Sequence, residues 1–261
     1  MTHPPKMEVR DISMHFGGVK AIIDLTFQLQ KGEIFSLIGP NGAGKSTVFN
    51  CISGIYTPTR GKIFFEGEEI TNLKPHKIAQ MGIARTFQNI ALFRNMTVLD
   101  NLLLGRNPYL KAGVIRGGIF WGKALREELA NRQVVEKLID FLEIESVRKK
   151  PVGALPFGIQ RRVELGRALA LEPRVLLLDE PVSGMNVEET EDMARFILDI
   201  NEEFGMTILL VEHDMGVVMD ISDRILVINF GEKITEGNPE TIHKDPRVIK
   251  AYLGEDEHGI N

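Results

Sequence analysis

Cysteine is almost absent: Cys51 is the only one in 261 residues, so no internal disulfide can form. Positive charge is also scarce. Lys and Arg total 31 against 36 Asp and Glu, a formal charge of −5, which argues against the basic stripe a nucleic-acid surface needs. No apolar run approaches the ~18–20 residues that would span a bilayer. Met1 to Arg10 carries no apolar signal region, which predicts a chain that stays in the cytosol. Repeats and low-complexity stretches are missing as well. What remains is an ordinary globular composition, 43% hydrophobic and 26% charged, long enough for one or two domains.

The most informative stretch is rich in glycine. Gly39, Pro40, Asn41, Gly42, Ala43, Gly44, Lys45, Ser46 and Thr47 fill the template G-x-x-x-x-G-K-[ST]. They follow Glu33 to Ile38, an apolar run that reads as a buried parallel strand, and precede Thr47 to Ile52, a plausible helix start. In that context the loop's backbone N–H groups can cradle phosphates, helped by the positive end of the helix dipole. Lys45 would reach the β- and γ-phosphates of a nucleoside triphosphate, and the Ser46 hydroxyl would ligate Mg²⁺. Cys51, just beyond, is expected to be a buried apolar residue rather than a reactive thiol.

The surrounding pattern is mixed. Ala21 to Gln30 alternates, with Ile23, Leu25, Phe27 and Leu29 on one face, as a half-buried antiparallel strand should. Lys62 to Phe65 and Gly82 to Phe87 read as further strands. From Asn89 to about Gly158 the pattern turns helical: Thr97 to Asp100 resembles a capping box for a helix stopping at Gly105. Lys123 to Leu142 keeps Leu125, Leu129, Leu138 and Leu142 near helical spacing. Val175 to Leu178 and Thr207 to Val211 are continuous apolar strands separated by a helix that Asn186 to Glu189 caps. That β-α-β order implies a parallel sheet. Arg224 to Asn229 and Glu232 to Thr235 form a hairpin around Phe230-Gly231. Asn238-Pro239 and Asp245-Pro246 each look like an N-cap followed by proline at the first helical position.

Three further positions carry chemistry. Asp179 and Glu180 end the strand Val175 to Leu178. A carboxylate at such a strand tip can hold Mg²⁺, directly or through water, and its neighbour is placed to polarise an attacking water. His213 follows the strand Thr207 to Val211, which should lie beside the strand of Asp179, within reach of a γ-phosphate. Gln88 stands where the α/β part meets the helical part and could contact the Mg²⁺ shell.

Taken in order, these residues resemble the nucleotide-binding subunit of an ATP-binding cassette (ABC) transporter from about Met7 to Gly254. Phe16 matches the aromatic that stacks on adenine, and Gly39 to Thr47 match Walker A. Gln88 matches the Q-loop, Val175 to Glu180 match Walker B, Ser183 to Asn186 the D-loop, and His213 the switch histidine. Leu155 to Arg162 lies where the signature motif belongs, and Gly158 keeps its place there. The resemblance implies an α/β P-loop NTPase core with a parallel sheet, an antiparallel β subdomain and a helical subdomain at about 89–163. It implies one nucleotide-binding domain over 1–254 and a short acidic tail at 255–261. Glu180, His213 and Lys45 become the candidate catalytic residues, and Ser46, Gln88 and Asp179 the candidate Mg²⁺ ligands. ATP and Mg²⁺ are the implied cofactors. Two such subunits would face head to tail, each ATP held by one subunit's Walker A and the other's signature.

Two departures stand out. The usual signature is Leu-Ser-Gly-Gly-Gln; here Pro156, Phe157 and Ile159 replace its serine, first glycine and glutamine. The D-loop ends in Asn186 where aspartate is usual. Either these are harmless family variation, or this subunit's signature serves a weaker ATP site beside a second, different ATPase chain. A heterodimer is expected, and a homodimer stays open.

Phe16 to Ala21, the Leu-Pro-Phe-Gly signature and Ala251 to Glu255 resemble the branched-chain amino-acid importers, in particular their ATPase with the longer insert. That implies two membrane-spanning permease subunits, an indirect link to a solute-binding protein, and a peripheral place on the cytoplasmic face of the cell membrane. The insert, about Gly105 to Glu128, carries Val114, Ile115, Ile119, Phe120 and Trp121, which either meet the membrane subunit or pack on their own helical part. Related systems for urea or amides, or for lipopolysaccharide export, share much of the pattern. Soluble ABC ATPases fit less well, because the chain has one cassette, no heptads and no basic face. A P-loop kinase or GTPase lacks support, with no Asn-Lys-x-Asp motif to read a base.

Overall fold

The structure, a computed structural model, describes residues 4–88, 90–107 and 123–253. The chain opens with strands β1 (Met7–Phe16) and β2 (Val19–Leu29), then β3 (Ile34–Ile38) and helix α1 (Lys45–Ile52). Next come β4 (Arg60–Phe65), β5 (Glu68–Glu69), α2 (Pro75–Gln80) and β6 (Ile83–Arg85). A helical part holds α3 (Val98–Gly105), α4 (Lys123–Phe141) and α5 (Phe157–Leu169). The α/β pattern then resumes with β7 (Val175–Asp179), α6 (Val187–Phe204), β8 (Thr207–Val211) and α7 (Met215–Ile221). It ends with β9 (Arg224–Asn229), β10 (Glu232–Gly237), α8 (Pro239–Lys244) and α9 (Pro246–Leu253).

Two sheets result. One is antiparallel, in the order β2-β1-β4-β5; the other runs β10-β9-β3-β8-β7-β6 and is parallel except for the β9–β10 hairpin at its edge. The parallel strands are apolar throughout because both their faces are covered. Leu176, Leu178, Ile208 and Leu210 pack on the helical part and α6. Val175, Leu177, Leu209 and Val211 point the other way, onto Val48 and Phe49 of α1 and the antiparallel sheet. Burying each such side chain is worth roughly 1.5–3 kcal/mol. The expected parallel core, antiparallel sheet and helical part are all present. The expected helical limit at residue 163 falls within α5, which runs on to Leu169.

Two strand and helix faces differ from the simple period. In β2 the buried residues are Ile22, Leu25, Phe27 and Leu29, whereas Ile23 is only half-buried. Asp24 (φ 43°) and Asp11 of β1 (φ 47°) both take left-handed conformations, so the register jumps from Ile12↔Leu25 to Met14↔Ile22. Ser13 Oγ accepts from the Asp24 N–H at 2.9 Å, and Thr26 Oγ1 donates to Asp11 Oδ1 at 2.7 Å. Bulged residues restart the alternation, and the face flips. In α4 the inward stripe is Asn131, Val135, Leu138 and Ile139, while Leu129 is exposed. Asn131 is held inward because its Oδ1 accepts from Arg106 Nε at 2.9 Å. The apolar group from Val114 to Trp121 lies outside the described residues.

Candidate functional site

Strand β3 ends at Ile38 and the chain turns at once into the loop that starts α1. Side chains are excluded there. A Cβ on Gly39 (φ 154°) would collide with the Ile228 carbonyl oxygen, and one on Gly44 (φ 105°) would lie 2.5 Å from the Ala21 carbonyl oxygen. The loop is therefore wedged between β9 and β2, backbone to backbone. Its turn is closed by the Ala43 N–H donating to the Pro40 carbonyl at 3.1 Å. The Gly231 N–H, from the β9–β10 turn, donates to the Ala43 carbonyl at 3.0 Å.

Above the loop is a cavity of about 430 Å³. Its floor is the run from Asn41 through Gly42, Ala43, Gly44, Lys45 and Ser46 to Thr47; its walls are Val19 to Ala21, Gln88, Glu180 and Phe230. Lys45 is buried and its Nζ donates to the carbonyls of Gly39 (2.6 Å) and Pro40 (3.0 Å), while Ser46 is exposed to the cavity. Backbone at glycine-only angles, a helix N-terminus and a lysine at the loop centre suit a polyphosphate.

The candidate water-activating group sits at the rim. Glu180 follows β7 directly and adopts φ 50°, an uncommon conformation for a residue with a long side chain. Its N–H donates to the Val211 carbonyl at 2.8 Å, which turns the carboxylate out of the sheet toward the cavity. Glu180 Oε2 accepts from Gln88 Nε2 at 2.9 Å and lies 3.8 Å from His213 Nδ1. The structure thus brings Gln88, Glu180 and His213 together from three different strand ends. β7 and β8 are neighbours, with Asp179 paired to Val211, as the sequence order predicts.

Asp179 is buried beneath them. Its Oδ2 meets Arg85 Nη2 at 2.8 Å, and Arg85 Nη1 also donates to Asn50 Oδ1 (2.7 Å) and Ser53 Oγ (2.9 Å). Arg85 therefore ties the β7 tip to α1, a link absent from the sequence reading. A second unforeseen residue is Glu212, fully buried. Its carboxylate accepts from the backbone N–H groups of Val182 (3.1 Å), His213 (2.8 Å) and Asp214 (3.2 Å). One buried carboxylate thus fixes the start of the turn after Glu180 and the segment bearing His213. A third is Phe230, largely exposed at φ 47° on the β9–β10 turn, which lines the cavity. A long apolar side chain in a left-handed turn is a signal the sequence alone does not display.

Two sequence-proposed residues stand apart. Phe16 packs edge-on against Tyr56, with ring centroids 5.2 Å apart, and the cavity wall on that hairpin is formed by Val19 to Ala21 instead. Gly158 lies in the first turn of α5, where a Cβ would collide with the Glu189 carboxylate, so it faces α6. Pro156 occupies the N-cap of α5 and offers no side-chain cap.

A strand-loop-helix phosphate cradle, a carboxylate pair at the end of a strand two places along the same sheet and a helical part inserted between them in the chain define a P-loop ATPase of the cassette type. The family model for ABC transporters matches residues 22–183, and the chain belongs to that family of ATPases. A second model, described as branched-chain amino acid ATP-binding cassette transporter, matches residues 232–258. The chain is 44% identical over 254 residues to the high-affinity branched-chain amino acid transport ATP-binding protein BraF of Pseudomonas aeruginosa, covering 96% of this chain and 98% of that one. It is 42% identical over 255 residues to LivG of Escherichia coli K12, with the same coverage. Among solved structures it resembles a nucleotide-free ATP-binding cassette (TM-score 0.83, 30% identity, 96% of this chain, 100% of that one). It also resembles a cassette in its ADP conformation (TM-score 0.84, 31% identity, 97% of this chain, 100% of that one).

Proposed function

We propose that this chain is the ATP-hydrolysing subunit of an importer for branched-chain amino acids. The observation that carries the reading is the 44% identity to BraF along almost the whole chain, joined by the match of residues 232–258 to a branched-chain model. The site chemistry supports it. Residues 41–47 hold the phosphates, and Lys45 exchanges its loop carbonyls for phosphate oxygens. Ser46, Gln88 and Asp179 would hold Mg²⁺, which would supply positive charge to offset the charge that develops on the phosphate oxygens. Because Arg85 engages Asp179 Oδ2, Asp179 would reach the ion through its other oxygen or through water. Glu180 takes a proton from the attacking water, and His213 stands beside it toward the γ-phosphate. Phe16, the motif candidate for stacking on adenine, would have to leave Tyr56 to reach a base over the cavity, whereas Phe230 already lines it.

Work is drawn from opening and closing. A second ATPase chain faces this one, and ATP held between one subunit's loop and the other's α5 favours the closed pair through contacts made only there. Two permease subunits convert that motion into transport, and a solute-binding protein delivers the cargo. Among the described residues no helix is long and apolar enough to cross a membrane, consistent with a peripheral subunit on the cytoplasmic face. The test is uptake of labelled leucine, isoleucine and valine by cells deleted for this chain, together with the proteins that co-purify with it. Lost uptake restored by the chain, and a complex of a second ATPase, two membrane subunits and an amino-acid-binding protein, is expected. Normal amino-acid uptake with lost urea or amide uptake, or a lipopolysaccharide-export complex, would replace the cargo assignment.

A further inference from the structure

One face of α5 grips the segment that carries Gln88. The Arg161 guanidinium, 4% exposed, donates through Nη1 to the Phe87 carbonyl at 2.9 Å and through Nη2 to the Gln88 carbonyl at 2.6 Å. Nη1 also meets Glu164 Oε2 at 3.0 Å. The other Glu164 oxygen accepts from the Ala91 N–H at 3.3 Å, and Arg167 donates to the Ala91 carbonyl at 2.5 Å. Residues 161, 164 and 167 lie on one side of the helix, so a single face holds four backbone groups of Phe87, Gln88 and Ala91. At the start of the same helix, the Phe157 ring lies 5.3 Å from the Arg161 guanidinium and packs beside Gly184.

This arrangement is costly if its purpose is only to hold the fold together. A buried ion pair is weak evidence for stability, since desolvation offsets most of the attraction. Burial raises the Glu164 carboxyl above its ordinary range even though the Arg161 guanidinium pulls it down. Arg161 Nε, moreover, is buried without a hydrogen-bond partner. What the pair supplies is rigidity of position: a planar fork fixed on two consecutive carbonyls sets the orientation of the peptide from which the Gln88 side chain leaves. We propose that Arg161 is a positioning residue that makes α5 and Gln88 shift as one unit. A phosphate arriving at the first turn of α5 from a facing subunit then changes how Gln88 holds Glu180, and the two ATP sites of the pair communicate through this chain's interior. The proposal rests on the reading of Gln88 and Glu180 given above.

The test is a double-mutant cycle on the full chain with Arg161→Met and Gln88→Ala, read by steady-state ATP hydrolysis and by amide exchange with and without Mg·ATP. Each single variant is expected to lower kcat roughly tenfold with KM for ATP nearly unchanged, and the double variant to be no slower than the slower single one. In the parent chain Mg·ATP slows exchange both in residues 42–47 and in the first turn of α5. In Arg161→Met it slows only the former. Arg161→Lys keeps the charge beside Glu164 and guards against a folding defect; one ammonium cannot span both carbonyls, so the coupling stays lost. Additive losses in the double variant, or full rescue by lysine, overturn the coupling while leaving Gln88's role intact. Normal turnover of Gln88→Ala overturns both.

Discussion

Glu180 is the residue on which the proposed chemistry turns, and its setting suits that role. A left-handed backbone at φ 50° aims the side chain out of the sheet, and Gln88 and His213 hold the carboxylate at the rim. Glu212 supplies the fixed ground beneath, through three backbone N–H groups. Cys51 shows the opposite case, a group with chemistry that the fold suppresses. Burial pushes its thiol from 9.0 up to about 12. Iodoacetamide at pH 8 should leave the native chain unmodified and alkylate it fully in denaturant, as mass spectrometry would show; rapid native labelling would contradict the burial. The sign of the linkage follows. Above pH 9 the unfolded chain loses this proton while the folded chain keeps it, so the stability contribution is intact below 9 and declines toward about 12.

Among the elements, α6 depends on its start. Asn186 Oδ1 accepts from the Glu189 N–H at 2.9 Å and Glu189 Oε2 accepts from the Asn186 N–H at 3.2 Å, a reciprocal capping box. Asn186→Ala should lower stability by about 1 kcal/mol, measurable by denaturant unfolding, and a change near zero would mean the box is solvent-replaceable. This cap was legible in the sequence, as were the phosphate loop, both apolar strands and the carboxylate pair, because each is a local pattern with one structural solution. The face of β2 was not, since the bulge that exchanges Ile23 for Ile22 depends on Asp11 of the neighbouring strand. Arg85 and Phe230 were equally hidden. Arg85 has its meaning from Asp179, 94 positions away, and Phe230 from a loop nearly two hundred positions earlier. Phe16 illustrates the converse: the resemblance assigns it a base contact, yet its ring rests on Tyr56.

For the whole molecule, the phosphate cradle is, in the proposed function, half of a site whose other half comes from a facing chain, with α5 as what this chain offers in return. Its N-cap is Pro156, without a side-chain cap, and Phe157 follows, partly exposed. A proline gives neither hydroxyl nor N–H to a phosphate; either the altered signature serves a weaker ATP site beside a different ATPase chain, or it is harmless family variation. Pro156→Ser combined with Phe157→Gly should raise the turnover of the assembled ATPase pair, and unchanged turnover would make the altered signature neutral variation.

The central claim is that the cavity over residues 41–47 binds ATP and that Glu180 activates the water that cleaves it. Glu180→Gln tests this most directly, with ATP binding, ATP hydrolysis and molecular size measured on the same preparation. Nucleotide affinity should be retained, hydrolysis should fall about 10²–10⁴-fold, and ATP should hold the chains in a lasting dimer. Hydrolysis by Glu180→Gln at the parent rate would contradict the account.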